Sequence, residues 1–545
     1  MNQIESNLKL ALQAAIKKSF DLDVADILIE RPKDLSHGDY ATNVAMKICK
    51  LAKMKPVDVA NTLVNNIDKQ QANIDKIEIA GPGFMNFFIS SNTLSEVIGK
   101  VLAEKENFGK SDAGKGIKIN VEYVSANPTG DLHPGHARGA AIGDSITRLM
   151  SMAGYDVTRE YYINDAGNQI HNMALSLQAR YLQACGQDVQ VPEDGYHGPD
   201  LVMIANELYA NEGDKYMADT KENYEFFRQY GLSKELDKLK ADLKAFNVEF
   251  DVWTSERSLY AQGLVEKSLE TLKANGYTYE ADGALWLKTT LFNDDKDRVL
   301  VKSDGSYTYL TPDIAYHLNK LDRGYDKLID FFGADHHSYI TRLKAAIQAL
   351  GYEADKLDVE IIQMARMIKD GEEFKLSKRS GKAVSLRDLL EEAGSDAVRY
   401  FFASRAADTQ MDFDLDMATK QSNENPVYYA QYAHARMCSI LRQAKDIALA
   451  DHYELIKHEK EMNLLKQINE FTNVVADCAK TRMPHKMCNY IQKLASDFHS
   501  FYNECKVIDS NDLALSSQRL ALVEACRITL NNALNSIGVT APEKM

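Results

Sequence analysis

Residues 117–150, IKINVEYVSANPTGDLHPGHARGAAIGDSITRLM, restrict the fold more than any other part of the chain. Ile117, Ile119, Val121 and Tyr123 alternate with Lys118, Asn120 and Glu122, the period-two pattern of a strand. A polar turn bearing proline and glycine follows over residues 125–135. From His136 onward, small and apolar residues recur at helical spacing: Ala140, Ile142, Ile146, Leu149 and Met150. Gly154 is placed to close that helix as a C-terminal cap. The reading is strand, tight turn, helix.

The turn carries His133-Pro134-Gly135-His136. A helix N-terminus offers unpaired N–H groups and the positive end of the macrodipole, both suited to phosphate. Gly135 has no Cβ, which leaves room for a base or ribose against the backbone. Two imidazoles three residues apart converge on one side of the helix entrance, and each can donate to a phosphoryl oxygen. Where charge accumulates in a transition state, losing one such donor costs about 100- to 1000-fold in rate. The plain alternative is a chance pairing.

A length of 545 residues suggests three or four domains. Hydrophobic content of 45% and charged content of 26% are those of a soluble globular protein. No run of eighteen apolar residues exists, so no membrane span is expected. MNQIESNLKLALQAAIKK is too charged for a secretory signal and reads as an amphipathic helix, so a cytoplasmic enzyme is expected. The seven cysteines are odd in number and include no C-x-x-C pair; they read as reduced, mostly buried thiols, with neither a disulfide frame nor a tightly bound metal. A net charge of -15 disfavours nucleic-acid contact unless cations cluster locally.

Along the chain, a helix over residues 4–18 and strands at residues 77–79 and 84–89, around Gly81-Pro82-Gly83, suggest a separate α/β module. Residues 36–43 read as a polar turn opening a helix, with His37 capping or packing. After Gly154 a strand is expected over residues 156–163, leading to the polar loop Asn164-Asp165-Ala166-Gly167-Asn168-Gln169 and a capped helix. Residues 200–275 are charge-dense and helical in pattern, as in a solvated insertion. Strand patterns return at residues 283–287, 299–301 and 328–332, the last ending in Gly333-Ala334-Asp335-His336-His337. Residues 304–313 read as a turn and short strand, with a helix from Ile314. Four cations fall within Lys375-Leu376-Ser377-Lys378-Arg379-Ser380-Gly381-Lys382: either a solvated basic loop or an arm whose ammonium groups meet a leaving pyrophosphate. From about residue 425 the pattern is almost wholly helical. Tyr428, Tyr432 and Arg436 there interleave rings with a cation, as suits stacking on unpaired bases or an aromatic helix core.

His133-Pro134-Gly135-His136 resembles the HIGH motif shared by nucleotidyltransferases and class I aminoacyl-tRNA synthetases, and Lys375-Leu376-Ser377-Lys378-Arg379 resembles the synthetases' KMSKS motif. The flanks VEYVSANPTGDLHPGH, YYINDAGNQ, TYLTPDIAYH, GADHH, DAVRYFF, NENPVYYAQYAHAR and APEKM resemble arginyl-tRNA synthetases, over nearly the whole chain. Leu376 stands for Met and Arg379 for the last Ser of KMSKS, while both lysine positions are kept. The resemblance implies an α/β fold: an N-terminal additional domain (1–110) gripping the tRNA elbow, a Rossmann-like parallel-sheet catalytic domain (111–400, helical insertion near 165–300) and an all-α anticodon-binding domain (401–545). It implies ATP with Mg2+ as a substrate complex, L-arginine, arginine tRNA and a monomer. His133, Gly135, His136 and Lys378 would hold ATP, with Lys375 assisting at the pyrophosphate. Glu122, Asn127, Tyr309, Asp313 and His337 would hold arginine, and Tyr428, Tyr432 and Arg436 the tRNA. A guanidinium is planar with five donors and carboxylates match it bidentately, which favours Asp313 for that end.

Overall fold

The computed structural model describes residues 3–32, 37–374 and 383–545. The N-terminal unit contains α1 (Gln3–Phe20), β1 (Tyr40–Thr42), α2 (Val44–Ala52), α3 (Pro56–Asn66), β2 (Ile74–Ala80) and β3 (Phe84–Ile89). Its strands form an antiparallel sheet in the order β1-β3-β2. The helices lay Leu8, Leu12, Val59 and Leu63 on Met85 and Phe87, in a core of their own. The expected polar turn before α2 is partly a strand, because buried Tyr40 pairs with Phe87. The next helix, α4 (Ser91–Glu104), bridges two cores: Leu94 belongs to the N-terminal one, whereas Val97, Ile98 and Val101 belong to the main core of the molecule.

The central region begins with β4 (Lys118–Glu122), α5 (Pro134–Met152) and β5 (Asp156–Ile163), the strand–turn–helix–strand unit expected. Gly143 lets α5 lie on the sheet, since a Cβ there would stand 2.5 Å from the ring of Tyr123. Three helices follow, α6 (Asn168–Ala184), α7 (Pro199–Glu212) and α8 (Lys221–Ala245), packed around Leu177, Tyr181, Ala205 and Phe227. The chain then returns as β6 (Val252–Ser255), α9 (Glu256–Ala261) and α10 (Leu264–Ala274). The stretch 200–275 is therefore not all solvated insertion: β6 pairs in parallel with β5 and extends the sheet.

Next come β7 (Thr278–Ala281), β8 (Ala284–Leu287) and β9 (Arg298–Val301), a separate antiparallel sheet. Then α11 (Leu310–Asp322), β10 (Lys327–Gly333), α12 (Tyr339–Ala349) and β11 (Leu357–Ile362) complete the domain. Of the turn and short strand expected over residues 304–313, the turn is present and Tyr307 bridges Val301 in antiparallel fashion, but residues 310–313 are the first turn of α11. Pro312 is compatible with that turn, where its missing N–H would have no intrahelical partner. The main sheet has the order β11-β10-β4-β5-β6 with every neighbouring pair parallel, the Rossmann-like arrangement. Its order reverses between β4 and β10, and ligand crevices form beyond the strand ends at such a reversal.

A small sheet follows, from β12 (Ala365–Lys369), β13 (Glu372–Glu373) and, after α13 (Leu386–Ala403), β14 (Met411–Asp414). Because β14 pairs with β12, residues 411–414 are hydrogen-bonded to the central region. After α14 (Leu415–Thr419) the chain is helical: α15 (Pro426–Gln443), α16 (Glu459–Thr481), α17 (His485–Glu504) and α18 (Leu513–Ser536). Arg399 of α13 is fully buried and ties the regions together: Nε donates to the Ile537 carbonyl at 3.1 Å, Nη1 to that of Phe246 at 2.9 Å, and Nη2 pairs with Asp144 of α5. All seven cysteines are free, five of them buried.

Candidate active site

A cleft of about 760 Å³ opens at the reversal between β4 and β10. Glu122 at the end of β4, His133, Gly135 and His136 at the start of α5, Glu256 at the start of α9, Tyr309 and Asp313 at the start of α11, and His336, Tyr339 and Arg342 after β10 all line it. The turn after β4 is strained: Val124 has φ +70° and Ser125 φ +38°. A β-branched residue there costs on the order of 1–3 kcal/mol. That turn lets the Ser125 hydroxyl donate to Glu122 Oε1 at 2.9 Å while accepting the Tyr162 N–H at 3.1 Å.

His133 is the N-cap of α5. Its Nδ1 accepts the backbone N–H groups of Gly135 (3.0 Å) and His136 (3.3 Å), and His136 Nδ1 accepts that of His133 (3.4 Å). The two rings stack with centroids 3.6 Å apart. An Nδ1 that accepts a hydrogen bond carries no proton, so both rings are neutral with the proton on Nε2. Burial lowers the pKa of both, His136 to about 3, with His133 adding to the effect. Gly135 has a packing reason beyond ligand approach: a Cβ there would lie 2.9 Å from Cε1 of His133.

Behind the floor lies a buried ionic network. Lys320 Nζ bonds Glu122 Oε2 at 2.5 Å and Asp330 Oδ1 at 3.0 Å, and sits 4.2 Å from the Tyr316 ring centroid. His317 Nε2 meets Asp330 at 2.7 Å, and its Nδ1 meets the Asp313 carbonyl at 2.7 Å. Burial opposes the charge on each, but mutual attraction prevails: Lys320 and His317 are raised and Asp330 is held low. Asp313 and Glu256 differ. Neither has an ion-pair partner among the described residues, although the Tyr339 hydroxyl donates to Asp313. Burial pushes Asp313 up to about 6 and Glu256 to about 7, with the charge of Asp313 contributing to the latter.

Among the expected residues, the cleft thus gathers Glu122, His133, Gly135, His136, Tyr309 and Asp313. Asn127 and His337 are exposed and do not line it, whereas His336 does. Lys375 and Lys378 lie outside the described residues. Tyr428, Tyr432 and Arg436 stand together on α15, half-buried: the two tyrosine rings are parallel to within 5°, and Arg436 lies over Tyr432 at 5.1 Å and Tyr502 at 5.0 Å. Sequence reasoning missed Glu256 and Arg342. Glu256 sits in a charge-dense stretch, and only the S-x-x-S cap at Ser255 marks a helix start there. Arg342 reads as one cation on a surface helix, yet its guanidinium lies over the Tyr339 ring at 5.2 Å.

The family model described as tRNA synthetases class I (R), catalytic domain, matches residues 97–439. The chain belongs to the arginyl-tRNA synthetase family. The arginyl-tRNA synthetase N-terminal domain model matches residues 6–89 and the DALR anticodon-binding domain model residues 430–545. The chain is 54% identical to arginine–tRNA ligase 2 of Bacillus thuringiensis and 55% identical to arginine–tRNA ligase of Bacillus subtilis, covering 100% and 99% of them and itself covered in full. The arginyl-tRNA synthetase of Thermus thermophilus, 22% identical, shares the fold with a TM-score of 0.76 over 99% of both chains.

Proposed function

We propose that this cleft joins L-arginine to ATP as arginyl-adenylate, releasing pyrophosphate, and then passes the arginyl group to the terminal adenosine of arginine tRNA, releasing AMP. The observation that carries it is the pairing, in one cleft, of two neutral imidazoles offering Nε2–H groups with two half-buried carboxylates that have no ion-pair partner among the described residues. The first step is in-line displacement at phosphorus, so position and charge stabilisation dominate. Arginine's own carboxylate is the nucleophile, and no general base is needed. His133 and His136 donate to ATP oxygens as charge shifts toward the leaving pyrophosphate. Asp313 and Glu256 take the guanidinium, and Glu122 takes the α-ammonium. Lys375 and Lys378 meet the pyrophosphate. Mg2+ enters with ATP as part of the substrate.

Lysine is rejected because it leaves donors and acceptors unpaired in a buried pocket, a cost of about 1–3 kcal/mol for each group. The N-terminal unit holds the tRNA elbow, and Tyr428, Tyr432 and Arg436 contact the anticodon arm. The protein works as a cytoplasmic monomer. The test is arginine-dependent charging of total tRNA with ATP, beside the other nineteen amino acids. Charging with arginine alone is expected; charging with a different amino acid would refute the assignment of Asp313 and Glu256.

A further inference from the structure

The amine of Lys320 cannot touch a substrate. It is fully buried behind β4, with Glu122 and Asp330 as hydrogen-bond partners and the Tyr316 ring beside it. Yet it determines what the cleft presents. Three carboxylates crowd this floor: Glu122 on β4, Asp330 on β10 and Glu160 on β5. Asp330 also has His317, and Glu160 has Arg323 at 2.6 Å together with Asn120 and Thr254. Glu122 alone has Lys320 as its single cationic partner among the described residues. Its other oxygen is held by Ser125. The remaining groups facing it, Tyr316, Tyr162 and Asp313, bring no positive charge.

We propose that Lys320 is a positioning residue for arginine recognition: its amine balances the Glu122 carboxylate and fixes it in place, so that the guanidinium goes to the two carboxylates with no ion-pair partner among the described residues. This rests on reading the cleft as the arginine site. A buried carboxylate that loses its cation and keeps an anionic neighbour takes up a proton. Removing the amine should therefore convert Glu122 into a neutral acid near neutral pH, and arginine should bind only as that proton leaves.

The experiment is tRNA-supported, arginine-dependent pyrophosphate exchange from pH 6 to 9 on the full-length protein. At pH 7, Lys320→Met is expected to raise the KM for arginine by about tenfold or more while the KM for ATP hardly moves. The defect should shrink as pH rises, through an ionisation that wild type lacks. That ionisation should vanish in the double variant Lys320→Met/Glu122→Gln, which has no acid left to titrate, and should be absent in Lys320→Arg. If Lys320→Met does not fold, Lys320→Gln keeps a hydrogen bond without the charge and carries the same expectation. A rise in KM that is equal at every pH, or equal for arginine and ATP, gives Lys320 a structural role only and overturns the proposal. A wild type without arginine-dependent exchange overturns the reading of the cleft itself, a result visible before any variant is made.

Discussion

The two imidazoles of the cleft are donors because of where they accept. His133 Nδ1 is occupied by backbone N–H groups of the first turn of α5 and His136 Nδ1 by that of the N-cap, His133, so each Nε2 keeps its proton. With His136 held near 3, that ring does not change charge across the neutral range, and burial lowers His133 as well. Two carboxylates of the cleft titrate there, Asp313 near 6 and Glu256 near 7. Their pKa values are raised, so the free protein holds these protons until pH passes through 6 and 7. A guanidinium requires the ionised forms. The KM for arginine should therefore fall as pH rises from 5.5 to about 8 and then level off, with no limb from His136. The rise in Tm produced by saturating arginine should grow over the same range, because binding is linked to proton release. Asp313→Asn and Glu256→Gln should each weaken arginine binding and remove part of this dependence. A KM for arginine that is flat across this range would refute the carboxylate pair.

The first turn of α5 shows how an element can be built for a ligand at the expense of its own stability. Alanine is a better helix former than glycine by about 1 kcal/mol, yet Gly135 cannot accept a Cβ without moving the His133 ring. Gly135→Ala should leave Tm unchanged or slightly higher and lower pyrophosphate exchange by about 10- to 100-fold, the usual result of moving a catalytic group by an ångström. Equal loss of stability and activity would place the role of Gly135 in folding. This element was readable from sequence because its pattern is long: an alternating strand, a turn with proline and glycine, and a nineteen-residue helix. Other elements were not. At four residues, β6 follows a 25-residue charged helix and has too few positions for alternation to register. The segment before Ile314, rich in tyrosine and threonine, carries strand propensity, but it enters α11 at Leu310 with Pro312 in the first turn. For the same reason Glu256 was out of reach: its place in the cleft depends on β6 joining the sheet, which no local pattern announces.

At the scale of the whole molecule, the resemblance to arginyl-tRNA synthetases supplied the order of the three regions, but side-chain packing decides where they separate. The N-terminal unit touches the C-terminal helices through polar contacts, Arg31 with Glu470 at 2.7 Å, Asp39 with Lys466 at 2.5 Å and Glu5 with Asn473 at 2.9 Å. Its buried apolar core is distinct from the main one, and Met462 of α16, half-buried, packs against both. In contrast, α4 gives Val97, Ile98 and Val101 to the main core, and Asn532 of α18 donates to the carbonyls of Lys105 and Phe108 just beyond it. Two truncations should therefore behave differently. A protein beginning at Ser90, which keeps the N-cap of α4, should fold with a Tm close to that of the full chain, retain arginine-dependent exchange and charge tRNA with a raised KM for tRNA. One beginning at residue 106 gives up three buried aliphatic side chains, roughly 5 kcal/mol of burial, and should melt well below it. Equal melting temperatures would mean that α4 belongs with the N-terminal unit after all. Undiminished tRNA charging by the protein beginning at Ser90 would remove the elbow-gripping role from the first 89 residues, because that protein keeps the buried residues of the main core and loses the separate core with its contacts to α16.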